Sequence, residues 1–160
     1  MSRLDSFINR MVAQRDLLNH IRDHHPLPAE GPILEVGLGN GRTFSHLREL
    51  FPGRRIIAFD RQLGAHKSSI PPEGDLVLGE IADAGKAFMT GEAAFVHADI
   101  GTGYPEKDAV TLTWLPDMVV GMLKSGGYAL SGLPLANDAL EPLPVLPHVD
   151  PGRYFFYRRR

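Results

Sequence analysis

A chain of 160 residues, 43% apolar and 22% charged, has the make-up of one globular domain and not of a disordered or fibrous segment. Seventeen lysines and arginines against nineteen acids leave a formal charge of -2, so no global basic field holds nucleic acid by counterion release. With no cysteine, disulfide frameworks, thiolate zinc sites, iron–sulfur clusters and thiol nucleophiles are all excluded. No apolar stretch approaches the roughly 18–20 residues that span a bilayer, and Met1-Ser2-Arg3-Leu4-Asp5 opens no signal-peptide apolar region. A soluble, cytoplasmic protein of a single domain, 1–160, is expected.

Residues 1–25 read as an amphipathic helical arm, because Leu4, Phe7, Ile8, Met11, Leu18 and Ile21 recur near the 3.6-residue period. Such an arm packs on a sheet or meets a second copy of the chain; a lid over a site is the sharper reading. Pro26 and Pro28 end it. His20, His24 and His25 gather near its carboxyl end, where cations suit the helix dipole, and no metal site is expected of them.

The remainder, 31–160, alternates short apolar runs with helical patterns. Strands are expected at 32–36, 55–60, 75–79, 93–98 and 128–133. Helices are expected at 43–51, within 61–69, at 83–90 and, as one long element, from Pro105 to Lys124. That alternation predicts an α/β fold with a right-handed, mostly parallel sheet. After it, residues 145–149 and 153–157 flank the turn sequence Asp150-Pro151-Gly152 and predict an antiparallel hairpin. Pro147 would place the first arm at the sheet edge, where a missing N–H is tolerated.

The stretch that carries chemistry is Glu35-Val36-Gly37-Leu38-Gly39-Asn40-Gly41-Arg42, where the first strand gives way to a helix. Glycines there let the backbone turn sharply and approach a ligand, with the free N–H groups of a helix start behind them. Dinucleotides and S-adenosylmethionine both use this geometry. A dinucleotide fingerprint is G-x-G-x-x-G, but its third-glycine position is Arg42 and the glycine falls at Gly41. Glu35 suits an ammonium group better than a pyrophosphate. Both features favour S-adenosylmethionine, with an NAD-linked enzyme as the lesser reading.

E-x-G-x-G-x-G after a first strand, with Asp60 closing the second, resembles the class I S-adenosylmethionine-dependent methyltransferases, and also a small bacterial family with little beyond their core. The resemblance covers 31–160 and implies a Rossmann-like, doubly wound sheet of order 3-2-1-4-5-7-6. It implies that Gly37, Leu38, Gly39, Asn40 and Gly41 admit the cofactor S-adenosyl-L-methionine, that Glu35 faces its ammonium end and that Asp60 accepts both ribose hydroxyls. Arg61 would flank the sugar or adenine, and Gly79, Glu80 and Ile81 stand where the adenine is gripped. Asp99 is where related enzymes orient or deprotonate a substrate, and His97 is a second candidate base. His97-Ala98-Asp99-Ile100 departs from the Asn/Asp-Pro-Pro-Tyr pattern of N-methyltransferases acting on bases. Trp114 and Tyr104 read as helix-face residues, and Arg153 with Arg158, Arg159 and Arg160 as a solvated strand end.

The reading is a methyltransferase acting on a small-molecule acceptor, with a non-catalytic S-adenosylmethionine-binding or sensing protein as the alternative. No nucleic-acid or membrane partner is expected. Self-association through the amino-terminal helix is expected to complete a pocket that so short a chain leaves open.

Overall fold

The computed structural model describes all residues 1–160. Five strands, β1 (Ile33–Val36), β2 (Ile56–Asp60), β3 (Leu76–Leu78), β4 (Ala93–Ala98) and β5 (Leu123–Ser131), are joined in parallel. Two more, β6 (Leu140–Leu143) and β7 (Phe155–Arg159), run antiparallel along the β5 edge. The order is β3-β2-β1-β4-β5-β7-β6, the Rossmann-like arrangement expected above. Every side chain of β1 and β4 is buried, as a parallel sheet covered on both faces requires.

One face carries the long helix α1 (Arg3–His24) and α2 (Arg42–Leu50), which pack Leu17, Leu18, Ile21, Phe44 and Leu47 against Ile33, Phe95 and Leu130. The other face is covered by α5 (Leu115–Met122), whose Leu115, Val119 and Met122 meet Leu34, Val36, Val96 and Ala129. Two short helices, α3 (Ile81–Ala84) and α4 (Pro105–Thr111), follow the ends of β3 and β4. Ser2 caps α1 and exchanges hydrogen bonds with Asp5, a complete capping box.

Several expectations are corrected. The single helix from Pro105 to Lys124 is two helices, because Pro116 lacks an N–H and its ring clashes with the preceding turn. It serves instead in the first turn of α5, and β5 begins directly after Met122. The 83–90 helix is likewise shorter and earlier, α3 followed by a 3₁₀ turn at Gly85–Phe88, and only Lys67–Ser69 is helical within 61–69. The terminal hairpin pairs 140–143 with 156–159 instead of 145–149 with 153–157. Asp150-Pro151-Gly152 does turn the chain, with the Arg153 N–H donating to Asp150 O at 3.0 Å, but inside a longer connection. The edge rule holds for another proline: Pro142 lies in β6, the outermost strand.

The apolar stripe of α1 divides. Leu18 and Ile21 are buried, whereas Leu4, Phe7 and Ile8 are exposed at 66%, 49% and 48%. Leu17→Ala should therefore cost about 2–5 kcal/mol through its cavity, and Phe7→Ala should stay within about 0.5 kcal/mol. Urea unfolding of both variants, with equal slopes, checks the division.

Candidate active site

The carboxyl ends of β1, β2, β3 and β4 open together, and between β1 and β4 the order of connection reverses, which is where open α/β sheets bind ligands. The Gly37 and Leu38 N–H groups both donate to Phe59 O, at 2.9 and 3.0 Å, tying the glycine loop to the end of β2. There Asp60 is held by the backbone on both oxygens. Gly39 N–H donates to Oδ2 at 2.8 Å and Arg61 N–H to Oδ1 at 2.7 Å. A carboxylate has about four acceptor directions, so this one is oriented with capacity to spare. Arg61 Nε donates to Glu80 Oε2 at 3.2 Å, an exposed pair at the rim worth little on its own.

A cleft of about 740 Å³ unites Gly37, Gly39, Asp60, Arg61, Glu80, Ile81 and Asp99, with Trp114 and Lys107 on its far wall. Leu38, Asn40, Gly41 and Gly79 are not part of that lining. Leu38 is buried in the core, and Gly41, with φ of 90°, is the residue that starts α2. A larger cavity, about 1010 Å³, lies at the opposite end of the strands around Pro32, Arg54 and Glu92, away from the glycine loop.

Glu35 and His97 line neither this cleft nor its neighbour. They are register partners on β1 and β4, both wholly buried, with His97 Nδ1 2.5 Å from Glu35 Oε1. His97 Nε2 lies 2.8 Å from the Tyr154 hydroxyl. Gln14, from α1, donates through Nε2 to that hydroxyl at 3.0 Å and to Asp99 Oδ2 at 2.6 Å. Arg10, one turn earlier on α1, donates to the same Asp99 oxygen at 2.9 Å. Burial alone pushes the His97 imidazole down. The Glu35 charge and hydrogen bond, with the Asp99 charge, outweigh burial and the opposing Arg10, so its pKa lies above the ordinary histidine value. Burial, then the Asp99 charge, push the Tyr154 phenol well above its usual range.

Asp99 also borders a second cleft, of about 550 Å³, shared with Ser6, Arg10, Thr102, Asp108, Arg153 and Tyr154. Its loop is pinned by Asp108, which accepts from Thr102 N–H (2.8 Å), Thr102 Oγ1 (2.9 Å) and Gly103 N–H (3.3 Å). Those backbone donors hold the Asp108 carboxyl below its usual value. Arg153 reaches Ser6 O and Oγ at 3.3 and 3.2 Å. Tyr104 is exposed, with Lys107 over its ring. At the carboxyl end of the chain, Arg159 and Arg160 spend Nε on the carbonyls of Val120 and Asp138.

Residues 1–159 match the family described as S-adenosyl-L-methionine methyltransferase. The chain belongs to that family. A crystal structure of an S-adenosyl-L-methionine methyl transferase from Silicibacter pomeroyi DSS-3 is 36% identical, covers 99% of both chains and superposes with a TM-score of 0.86. TrmN from Thermus thermophilus (17% identity, TM-score 0.68, 91% of this chain and 48% of that one) shares the fold. So does an O-methyltransferase family protein from Burkholderia thailandensis (12%, TM-score 0.61, 95% and 58%). No curated protein matches the chain.

The family's cofactor is S-adenosyl-L-methionine, and the residues present suit it. A Cβ built on Gly39 meets nothing within 4 Å, so that glycine borders open space, whereas one on Gly41 would lie 2.6 Å from Ser69 Cβ. Glu35 Oε2 is buried with no partner within the protein, an acceptor left over two residues before the glycine loop. An ammonium group is the chemistry that would satisfy it.

Gln14, Tyr154, Arg10 and Thr102 reach Asp99 or its clefts without having been singled out in the sequence. Gln14 had a signal: it lies seven residues before Ile21 and three after Met11, a polar residue in an apolar stripe. Tyr154 had none, since its partners are 140 and 57 residues away.

The raised His97 pKa has a sign. The native state binds its proton more tightly than the unfolded chain, so that stabilisation is complete below about pH 6.5 and disappears as pH rises through the raised value. His25 and His46, pushed down chiefly by burial, act in the opposite sense at lower pH. The difference between wild type and Glu35→Gln is therefore the quantity to measure. Wild-type unfolding free energy should fall across that window, and Glu35→Gln, which leaves His97 buried without its counter-charge, should lose that fall. NMR should show the His97 imidazole titrating above about 6.5 in wild type and below it in the variant.

Proposed function

We propose that the protein is an enzyme that transfers a methyl group to a small polar acceptor, with the cofactor in the larger cleft and the acceptor in the adjoining one. The observation that carries this is Asp99, a carboxylate on the wall of both clefts, held at one oxygen by Arg10 and Gln14. When bound, S-adenosyl-L-methionine supplies an activated sulfonium methyl. The protein's part is alignment, worth up to roughly 7–11 kcal/mol when reacting atoms are held in line.

In this reading Asp60 takes the ribose hydroxyls by charge-assisted hydrogen bonds. The backbone of Gly37 to Gly41, with Leu38 and Asn40 between, supports the methionyl part, and Glu35, buried behind that backbone and off the cleft wall, serves its ammonium through a bridging water. Gly79, Glu80, Ile81 and Arg61 border the adenine. Asp99 accepts a hydrogen bond from the acceptor and takes its proton where the nucleophile is protonated at working pH. His97, with both ring nitrogens engaged, acts from behind Asp99 and does not touch the acceptor. A small acceptor is supported by the volume of the second cleft, about 550 Å³, and by the absence of a basic field.

Incubation with S-adenosylmethionine and a panel of small hydroxy and amino compounds should release S-adenosylhomocysteine with at least one of them. Asp99→Asn should lower that rate at least tenfold with cofactor affinity kept, and Asp60→Ala should weaken S-adenosylhomocysteine binding at least tenfold by calorimetry with the melting temperature little changed. Unchanged affinity in Asp60→Ala would remove the ribose assignment; binding without turnover across the panel would favour a sensing role.

Self-association is part of the same reading, supported by Leu4, Phe7 and Ile8 lying exposed along one edge of α1. Light scattering should give a dimer mass for the wild type and a monomer for Phe7→Glu; a monomeric wild type overturns it.

A further inference from the structure

The second cleft carries one cation that no carboxylate of the protein balances. Arg153 lines it, away from the solvated strand end expected of this residue, and its side chain bonds only from Nη1 to Ser6 O and Oγ. Its Nε and Nη2 have no partner. Neither is sealed from solvent, since the buried side-chain atoms left without one are Arg10 Nε and Glu35 Oε2. Most other charges on the wall are already engaged. Arg10 is paired with Asp99, and Asp108 accepts from Thr102 and Gly103. Asp150 is exposed on the turn that leads into Arg153. A guanidinium fork with free donors matches the planar oxygen pair of a carboxylate.

Asp99 offers the complementary end. Its Oδ2 receives both Arg10 and Gln14, whereas Oδ1 receives no donor and is likewise not buried. Beside Oδ1 stands Gly132, held directly after β5 by its N–H bond to Ala98 O at 3.0 Å. A Cβ at Gly132 would lie 3.2 Å from Oδ1, so the glycine leaves that oxygen room on the cleft wall. Ser6, which meets Arg153, and Arg10, which meets Asp99, are about 6 Å apart along α1, one helical turn. That is a span a small molecule bridges.

We propose that the acceptor is a small carboxylic acid bearing a hydroxyl or amino nucleophile, its carboxylate held by Arg153 and its nucleophile by Asp99 Oδ1. This assignment rests on the reading of the second cleft as the acceptor site and adds no step to the transfer. A single negative charge is the match. A phosphate dianion would bring one charge more than Arg153 balances, facing Asp150 and Asp99. An amide or amine without a carboxylate would leave the Arg153 donors unanswered, and losing a charged hydrogen bond costs about tenfold or more in affinity.

The test sets small hydroxy and amino acids beside their primary amides, phosphate esters and decarboxylated amines. Binding is read by calorimetry on the full chain loaded with S-adenosylhomocysteine, and turnover separately with S-adenosylmethionine. At least one acid should bind about tenfold or more tighter than its amide. Arg153→Ala should bring acid and amide affinities together with S-adenosylhomocysteine affinity kept, and Arg153→Lys should restore part of the preference. Should Arg153→Ala unfold, Arg153→Gln, which keeps a donor for Ser6 and drops the charge, gives the same readout. In turnover the change should fall on KM for the acid and not on kcat, a split that a general loss of packing does not produce. An acid preference that survives Arg153→Ala overturns the assignment, as do amides, phosphate esters or amines bound as well as the acids, or no acid bound at millimolar concentration. Acids bound with the expected preference but never methylated uphold Arg153 as a carboxylate-binding residue and overturn the acceptor reading beneath it.

Discussion

Glu35 and His97 sit opposite each other on β1 and β4, with no solvent contact, and much of the site follows from that pairing. Removing a charge-bearing pair from water is costly, and removing one partner afterwards costs about 3–5 kcal/mol because the other is left uncompensated. The pair therefore holds β1 and β4 in one register. A slip of one residue in either strand would turn one of the two side chains to the opposite, apolar face, where α5 packs Leu115, Val119 and Met122. It also demands polar company, which the helix over that face and the segment before β7 supply as Gln14 and Tyr154.

Register in turn sets the position of the two clefts. With β1 and β4 aligned, the glycine loop leaves β1 beside Asp99, and the end of β2 brings Asp60 under Gly39. The first cleft is then built mainly from short-range connections, turns between a strand and the helix after it. The second cleft is built from distant parts of the chain, with Ser6 and Arg10 meeting Asp99, Thr102 and Arg153.

The frame of the first cleft was legible for the same reason. Strand ends, glycines and Asp60 are local signals, and the four strands nearest the site fall within a residue or so of their expected positions. The errors lie where a local rule met a competing one. Pro116 restarts a helix that apolar spacing alone would have run through. Asp150-Pro151-Gly152 is a true turn, but the strand after it begins only at Phe155, because Tyr154 is drawn into the core by His97 instead of continuing the ladder. The 3.6-residue spacing on α1 marks Leu4, Phe7 and Ile8 as apolar-face residues, yet they are exposed, and the buried centre of that helix carries Gln14.

The amino-acid sequence by itself determined the class of fold and the class of cofactor, because strand–helix alternation and a glycine loop are properties of neighbouring residues. Tertiary structure alone decided what the buried acid of that loop does. Glu35 reads as a ligand-facing carboxylate, yet one of its oxygens is given to a histidine 62 residues away and the other is held in reserve. It also decided that Asp99 is gripped by a helix 85 residues earlier in the chain. Contacts between residues so far apart leave no periodicity behind, since each is created only when the sheet closes and buried polar groups must find partners.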